Sequence, residues 1–258
     1  MKTTVLITGA TGGIGSAISN IFAMNGYDTV LVATDNKKLS TLSDQLTIQY
    51  SNNNYVIVAD LTNKDAANGV YSEISSLKIH ISILVNNAGV GLNRDFSDMS
   101  WHEVEEMLNV NIISLTNLTR LFLPGMIKLK HGYILNVAST GAYQPGPGMA
   151  VYFATKHYVL AFSEALYQEL SSKGIIVTAL CPGPTITGFV NRANVTDSKL
   201  YKNNLLNVNP DQIAIKAYEA MMKKKRVVIP GLFNKLLVIM SHIIPNKLIM
   251  KYLRANLS

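Results

Sequence analysis

The sequence predicts an α/β fold: a doubly wound parallel sheet with helices on both faces and a C-terminal helical extension. Short apolar runs alternate with amphipathic helical segments along the chain. The runs are nearly continuous in apolar residues, as strands buried on both faces of a parallel sheet require. The first run leads straight into a glycine-rich turn and a helix. The chain has 258 residues, 48% hydrophobic and only 15% charged, enough for one large core and against disorder.

Six strands are expected, at Thr4–Ile7, Thr29–Val32, Tyr55–Ala59, Ile81–Val85, Tyr133–Val137 and Ile175–Leu180. After the first, Ile14, Ala17, Ile18, Ile21 and Phe22 recur at the helical period. Ser100 and Glu103 form a capping box that opens a helix, and Trp101 is expected to pack or cap there. Asn209-Pro210 opens another helix, with proline in its first turn. Residues 150–173 form a long helix. Pro182–Val208 is irregular and reads as a lid, which with the 140–150 loop should wall a cleft. Residues 1–230 are taken as the main domain and 231–258 as the extension.

The net charge of +7 sits in the tail. From Lys223 to Ser258 there are eight Lys or Arg and no acid, against 15 basic and 16 acidic residues elsewhere. A near-neutral body without a basic groove excludes nucleic acid as a partner. Cys181 is the lone cysteine, which fits a reducing, cytoplasmic compartment and excludes an internal disulfide. The five histidines are scattered without ligand spacing, so no metal site is expected. The first residues do not read as a leader, and no unbroken apolar run is long enough to span a bilayer. In the tail, Phe233, Leu236, Leu237, Met240 and Ile244 share one helical face. After Pro245, Leu248, Ile249 and Tyr252 oppose Lys247, Lys251 and Arg254. Such helices either pack on the body or a partner subunit, or touch an anionic membrane surface peripherally.

The turn Thr8-Gly9-Ala10-Thr11-Gly12-Gly13-Ile14-Gly15 lies between a strand and a helix. In that context glycines allow a tight turn, close approach of a pyrophosphate, and helix packing on the sheet. The helix N-terminus then faces the phosphates.

Further motifs follow in order: Asn86-Asn87-Ala88-Gly89 after the fourth strand, Asn111 in NVNIIS, Ser139 after the fifth strand, Tyr152-x-x-x-Lys156, and Pro182-Gly183 with Thr187. Over about residues 3 to 190 the chain resembles the short-chain dehydrogenase/reductase family, in its shorter single-domain branch. Gly9, Gly13 and Gly15 fit the TGxxxGxG turn of that branch. Gly9, Gly12 and Gly15 fit the TGxxGxxG turn of longer, epimerase-like members, and chain length favours the first. The resemblance implies a Rossmann fold and a set of roles. Gly9, Thr11, Gly13, Ile14 and Gly15 would cradle the cofactor phosphates. Asp60 and Leu61 would meet the adenine, and Asn87, Ala88 and Gly89 the ribose side. Pro182, Gly183 and Thr187 would border the nicotinamide. Asn111, Ser139, Tyr152 and Lys156 would form the catalytic tetrad, Tyr152 and Lys156 also holding cofactor, and Asn111 holding a water that relays protons to Lys156. Homodimers or homotetramers are expected, because long helices such as 150–173 pair across subunits in such proteins.

The chemistry suits these residue types. A phenol with a pKa near 10 needs help to exchange a proton at neutral pH, and a neighbouring ammonium favours its phenolate. Residues i and i+4 share a helix face, so Lys156 belongs to Tyr152, while Tyr158 lies about 200° round from Lys156. Ser139, at a strand end, can donate to a substrate carbonyl. Tyr143, Tyr158, His157 and Cys181 are read as packing residues, Tyr143 and Tyr158 alternatively as cleft walls.

The second strand ends in Ala33 where NAD users place an acid. Thr34 and Lys38, with Asn36 and Lys37, could serve a 2′-phosphate, although Thr34 stands where many NADP users place arginine. NADP(H) is therefore favoured, with NAD(H) not excluded. The expected function is reduction of a small-molecule ketone or aldehyde, or oxidation of the matching alcohol. The tail suggests a lipophilic or 3-oxoacyl substrate through its similarity to those of such family members. A non-catalytic dinucleotide-binding regulator, and an epimerase or dehydratase on the same fold, remain the alternatives.

Overall fold

A computed structural model of the chain describes residues 3–203 and 205–257. Met1, Lys2, Asn204 and Ser258, which fall in the predicted main domain, lid and extension, lie outside the described residues. The chain begins β1 (Thr4–Thr8), α1 (Gly13–Met24), β2 (Asp28–Ala33), α2 (Asn36–Tyr50), β3 (Asn54–Val58), α3 (Ala66–Ser76) and β4 (Ile81–Asn86). It continues through α4 (Trp101–Leu108), a π-helical turn (Asn109–Ser114), α5 (Leu115–Leu129), β5 (Gly132–Val137), α6 (Ala150–Ser171) and β6 (Ile175–Leu180). Two short helices, α7 (Gly188–Arg192) and α8 (Lys199–Lys202), precede α9 (Pro210–Met222) and β7 (Val227–Val228). The chain then forms α10 (Leu232–Ser241) and α11 (Asn246–Leu257).

Among the described residues the strands form one parallel sheet in the order β3-β2-β1-β4-β5-β6-β7. Successive side chains of a strand point to opposite faces, and the two cores follow that alternation. Val5, Ile7, Leu31, Ile83, Val85 and Leu135 face α1 and α9 on one side. Leu6, Val30, Val32, Leu84 and Ile134 face α3, α5 and the end of α6 on the other. The sheet is thus buried on both faces, and its order reverses between β1 and β4. Ligands of such sheets bind beyond the strand C-termini at that switch.

The predicted β6 has the observed bounds, and the other five strands differ by one residue at one or both ends. β7 was not anticipated, since two residues on a sheet edge carry no periodicity. The Ser100 capping box is present in full, and Asn209 caps α9 as expected. Trp101 neither packs nor caps: its side chain is 69% exposed, and Ser100 does the capping. The predicted lid holds two short helices rather than being wholly irregular. The helical run Trp101–Leu129 is long and apolar enough to cross a bilayer by composition, but Leu118, Phe122 and Met126 spend that apolarity on the sheet.

In the tail, Pro245 separates two helices as expected. Of the placements left open for the apolar face of α10, packing on the body is met only in part, since that face is largely turned outward. Phe233, Leu236, Leu237 and Met240 are exposed, while Asn234 and Val238 are buried. α11 follows the ordinary rule: Leu253 and Leu257 join Met149, Phe153, Val190 and Val195 in a small core over the lid.

Candidate active site

A cavity of 1180 Å³ runs along the C-terminal ends of the strands. One arm is lined by the glycine turn and by Thr34, Lys38, Asp60, Leu61 and the Asn87–Gly89 segment. The other arm is lined by the lid and by α10 and α11, with Leu206, Val238, Ile244, Ile249 and Leu253 among its apolar residues. Ser139, Tyr152 and Lys156 lie on the wall that both arms share.

The first arm fits a dinucleotide. Gly9 is left-handed (φ 62°), and a Cβ there would stand 2.9 Å from Ala88 Cα. A Cβ on Gly15 would fall 2.1 Å from the Gly9 carbonyl oxygen, and one on Gly13 would fall 2.5 Å from Thr187 Cγ2. One on Gly12 would meet its nearest neighbour, Gly9 O, only at 3.3 Å, so the crowding follows Gly9, Gly13 and Gly15. No side chain caps α1, so its first N–H groups are left for an anion at the helix start. Asn87 locks the turn: its Nδ2 donates to Thr8 O (2.9 Å) and Gly9 O (3.1 Å). Thr8 Oγ1 accepts from the backbone N–H groups of Asn87 and Ala88. The predicted residues Gly9, Thr11, Gly13, Ile14, Gly15, Thr34, Lys38, Asp60, Leu61, Asn87, Ala88, Gly89, Pro182, Gly183 and Thr187 all line the cavity.

The ribose end has one feature that the sequence reading underweighted. Asp35 also lines the cavity and caps α2, accepting from the Lys38 N–H at 3.0 Å, with Lys38 Nζ at 3.1 Å. These bonds hold its carboxyl below the usual carboxylate range. The acid nearest this end of the cavity is therefore already partnered by Lys38.

At the catalytic wall, helical phase selects the tyrosine as expected. Ser139 lies close enough to Tyr152 to favour its phenolate, and Lys156 Nζ lies 5.7 Å from the Tyr152 ring centroid while donating to Val137 O at 2.9 Å. Tyr158 points away, its hydroxyl 3.0 Å from Thr116 Oγ1 and its ring stacked on Phe162. His157 is exposed, with Nδ1 2.8 Å from Phe153 O. Tyr143 donates to buried Cys181 Sγ at 3.8 Å and is a packing residue rather than a cavity wall. Ser139 Oγ accepts from Gly141 N–H at 3.0 Å, which leaves its own hydrogen to donate.

Two electrostatic expectations are modified. Burial pushes the Tyr152 phenol up to about 12, Ser139 opposing it only in part. Burial therefore dominates over the one neighbour that favours the phenolate. Burial also lowers Lys156 to about 8. Asn111 is fully buried and lies behind the cavity rather than on its wall. Its Oδ1 accepts from Val90 N–H (2.9 Å), and its Nδ2 donates to Val90 O (2.8 Å) and Thr155 Oγ1 (3.0 Å). The side chain thus braces the segments of Val90 and Thr155.

The sequence reading missed several participants. Thr155, inside the YxxxK motif, donates to Tyr152 O at 2.7 Å and links Asn111 to the catalytic turn. Phe189 lies 5.4 Å from the Tyr152 ring, centroid to centroid. Gly91 makes room for both rings, since a Cβ there would fall 2.9 Å from Tyr152 Cδ2. Tyr201 lines the cavity from the lid. Only the spacing inside YxxxK could have flagged Thr155; the others depend on how the lid folds back.

A switch-point cavity thus joins a glycine cradle to a wall that carries Ser139, Tyr152 and Lys156. The model for short chain dehydrogenase matches residues 3–198, and the chain belongs to that family. It is 36% identical over 184 residues to a very-long-chain 3-oxoacyl-CoA reductase of Anas platyrhynchos, covering 69% of this chain and 58% of the relative. It is 34% identical over 199 residues to hydroxysteroid dehydrogenase-like protein 1 of Gallus gallus, covering 76% of this chain and 60% of that one. The chain thus spans under two thirds of the length of these curated relatives. Among solved structures, a short-chain dehydrogenase from Sphingobium yanoikuyae in complex with NADPH superposes with a TM-score of 0.82. It is 30% identical, over 93% of this chain and 94% of that one.

Proposed function

We propose that this chain is an NADP(H)-dependent reductase of lipophilic ketones, with 3-oxoacyl thioesters as the leading class. The observation that carries the reading is a single cavity lined by the glycine turn, by Ser139, Tyr152 and Lys156, and by apolar side chains of the lid and tail. The nicotinamide, when bound, supplies or accepts the hydride. Ser139 donates a hydrogen bond to the carbonyl oxygen, and Tyr152 gives that oxygen its phenolic proton. Lys156 steadies the phenolate left behind. Thr155 and Asn111 hold the turn that presents both side chains. The names of the avian relatives support the substrate class, and the Sphingobium complex supports NADPH. Lys38 and Thr34 on the cavity wall, with Ala33 in the usual acid position, support it as well.

We place the protein in a reducing, cytoplasmic compartment, consistent with its one buried thiol. We expect a homo-oligomer paired through the α5–α6 side, where Ile113 and Tyr158 are exposed; light scattering of the purified chain tests this. The function is tested by following NADPH consumption with ketones, aldehydes and 3-oxoacyl thioesters of rising chain length. Turnover should rise with acyl length. NADPH binding without turnover on any carbonyl would instead indicate a regulator.

A further inference from the structure

α10 is built inside out. Its inward face presents Asn234, buried and donating to Leu206 O (3.0 Å) and Pro230 O (3.1 Å). Its outward face presents Leu232, Phe233, Leu236 and Ile239, from 48% exposed at Phe233 to 78% at Leu232, with Ile243 just beyond at 76%. None of these five lines the cavity. A helix on a globular protein ordinarily does the reverse, and a contiguous exposed apolar patch marks an interaction surface.

Two observations identify the partner. The first is charge: Lys235 on α10 and Lys247 and Lys251 on the next helix, α11, are exposed, with no acid between residues 223 and 258. A two-fold contact between copies would set these lysines against each other without a carboxylate from either tail. The second is continuity with the cavity. Leu237, Met240, Leu248 and Tyr252 line the cavity and are also exposed, so they form its rim beside the apolar face.

We propose that α10 and α11 seat the protein on an anionic phospholipid bilayer, with the cavity rim opening at the lipid interface. The apolar face enters the acyl boundary, and the three lysines meet the lipid phosphates. A lipophilic substrate then passes from bilayer to Tyr152 along apolar side chains. That last step rests on the proposed substrate class; the docking itself does not.

The experiment is co-sedimentation of the full chain with vesicles of phosphatidylcholine, alone or mixed with phosphatidylglycerol. The chain should sediment with the mixed vesicles, far less with the neutral ones, and be released by salt. L236Q/I239Q/I243Q should abolish sedimentation. K235Q/K247Q/K251Q should lower partitioning by about a hundredfold, at roughly fivefold per charge near such a surface. Both variants should bind NADPH like the wild type, which shows that they fold. Wild-type protein that ignores both vesicles, or variants that sediment like it, overturns the proposal. So does a dimer that the apolar variant dissociates without vesicle binding, which would make the face a contact between copies. Vesicle binding without turnover on any carbonyl would sink the reductase reading and leave this one standing.

Discussion

The Tyr152 phenol sits between opposing influences. Burial holds its proton, and the neighbouring Ser139 loosens it. With a pKa of about 12, it keeps that proton through the neutral range, as the donor role proposed for it requires. Tyr152→Phe should lower carbonyl reduction by about a hundredfold or more, the usual size of a general-acid contribution, with NADPH affinity retained. Tyr158→Phe should leave turnover unchanged, because its hydroxyl meets only Thr116 on the far side of the helix. Steady-state assays and NADPH titration of the two variants check the pair. Lys156 is cationic below about pH 8 and loses its charge above it. Its support for the phenolate is present at lower pH and disappears as pH rises, so kcat/KM for reduction should hold to about pH 8 and then fall. A profile flat through pH 9 would contradict this role. The convergence of Ser139, Tyr152 and Lys156 on one cavity was legible because motif order and helical phase are properties of sequence. The role of Asn111 was not, since only the fold shows both ends of its side chain occupied by Val90 and Thr155.

Elements differ in how openly they declare themselves. The first six strands could be read because burial on both faces demands unbroken apolar runs, and the alternation of Val5, Leu6 and Ile7 between two cores is the outcome. β7 is too short to show a period. α10 was recognised as a helix but its covering was left open, because an apolar stripe names a face without naming what covers it. The glycine turn was ambiguous in sequence and is decided by crowding. Gly13→Ala places a methyl 2.5 Å from Thr187 Cγ2 and should cost about 1–3 kcal/mol of stability. Gly12→Ala, at 3.3 Å, should cost much less. Urea unfolding of the two variants makes the comparison; equal losses would reject the assignment of Gly13 over Gly12.

For the whole molecule, the cavity joins residues from both ends of the chain, from Gly9 to Leu257. Cofactor choice is decided at its ribose end. A hydrogen bond to a charged group is worth about 1.5–3 kcal/mol, so Lys38→Met should weaken NADPH by at least about tenfold and barely affect NADH. Fluorescence titration with both dinucleotides tests this, and equal weakening would remove Lys38 from 2′-phosphate recognition.

The far side of the cavity is held by α11 through distant partners. Asn93 Nδ2 donates to Leu257 O (2.7 Å), Ser198 Oγ donates to Asn256 O (2.7 Å), and Arg254 forks onto the Asp95 carboxylate. The first and third contacts bridge 164 and 159 residues of sequence. Joining such separated segments costs chain entropy that local helices avoid, and exposed ion pairs return little of it. The C-terminal helix should therefore form late in refolding and detach by brief sub-global opening while the sheet stays folded. Backbone amides of α11 should exchange with deuterium well before those of β1 and β4. Mass spectrometry of the exchanging protein would show whether access to the catalytic tyrosine is timed by this breathing.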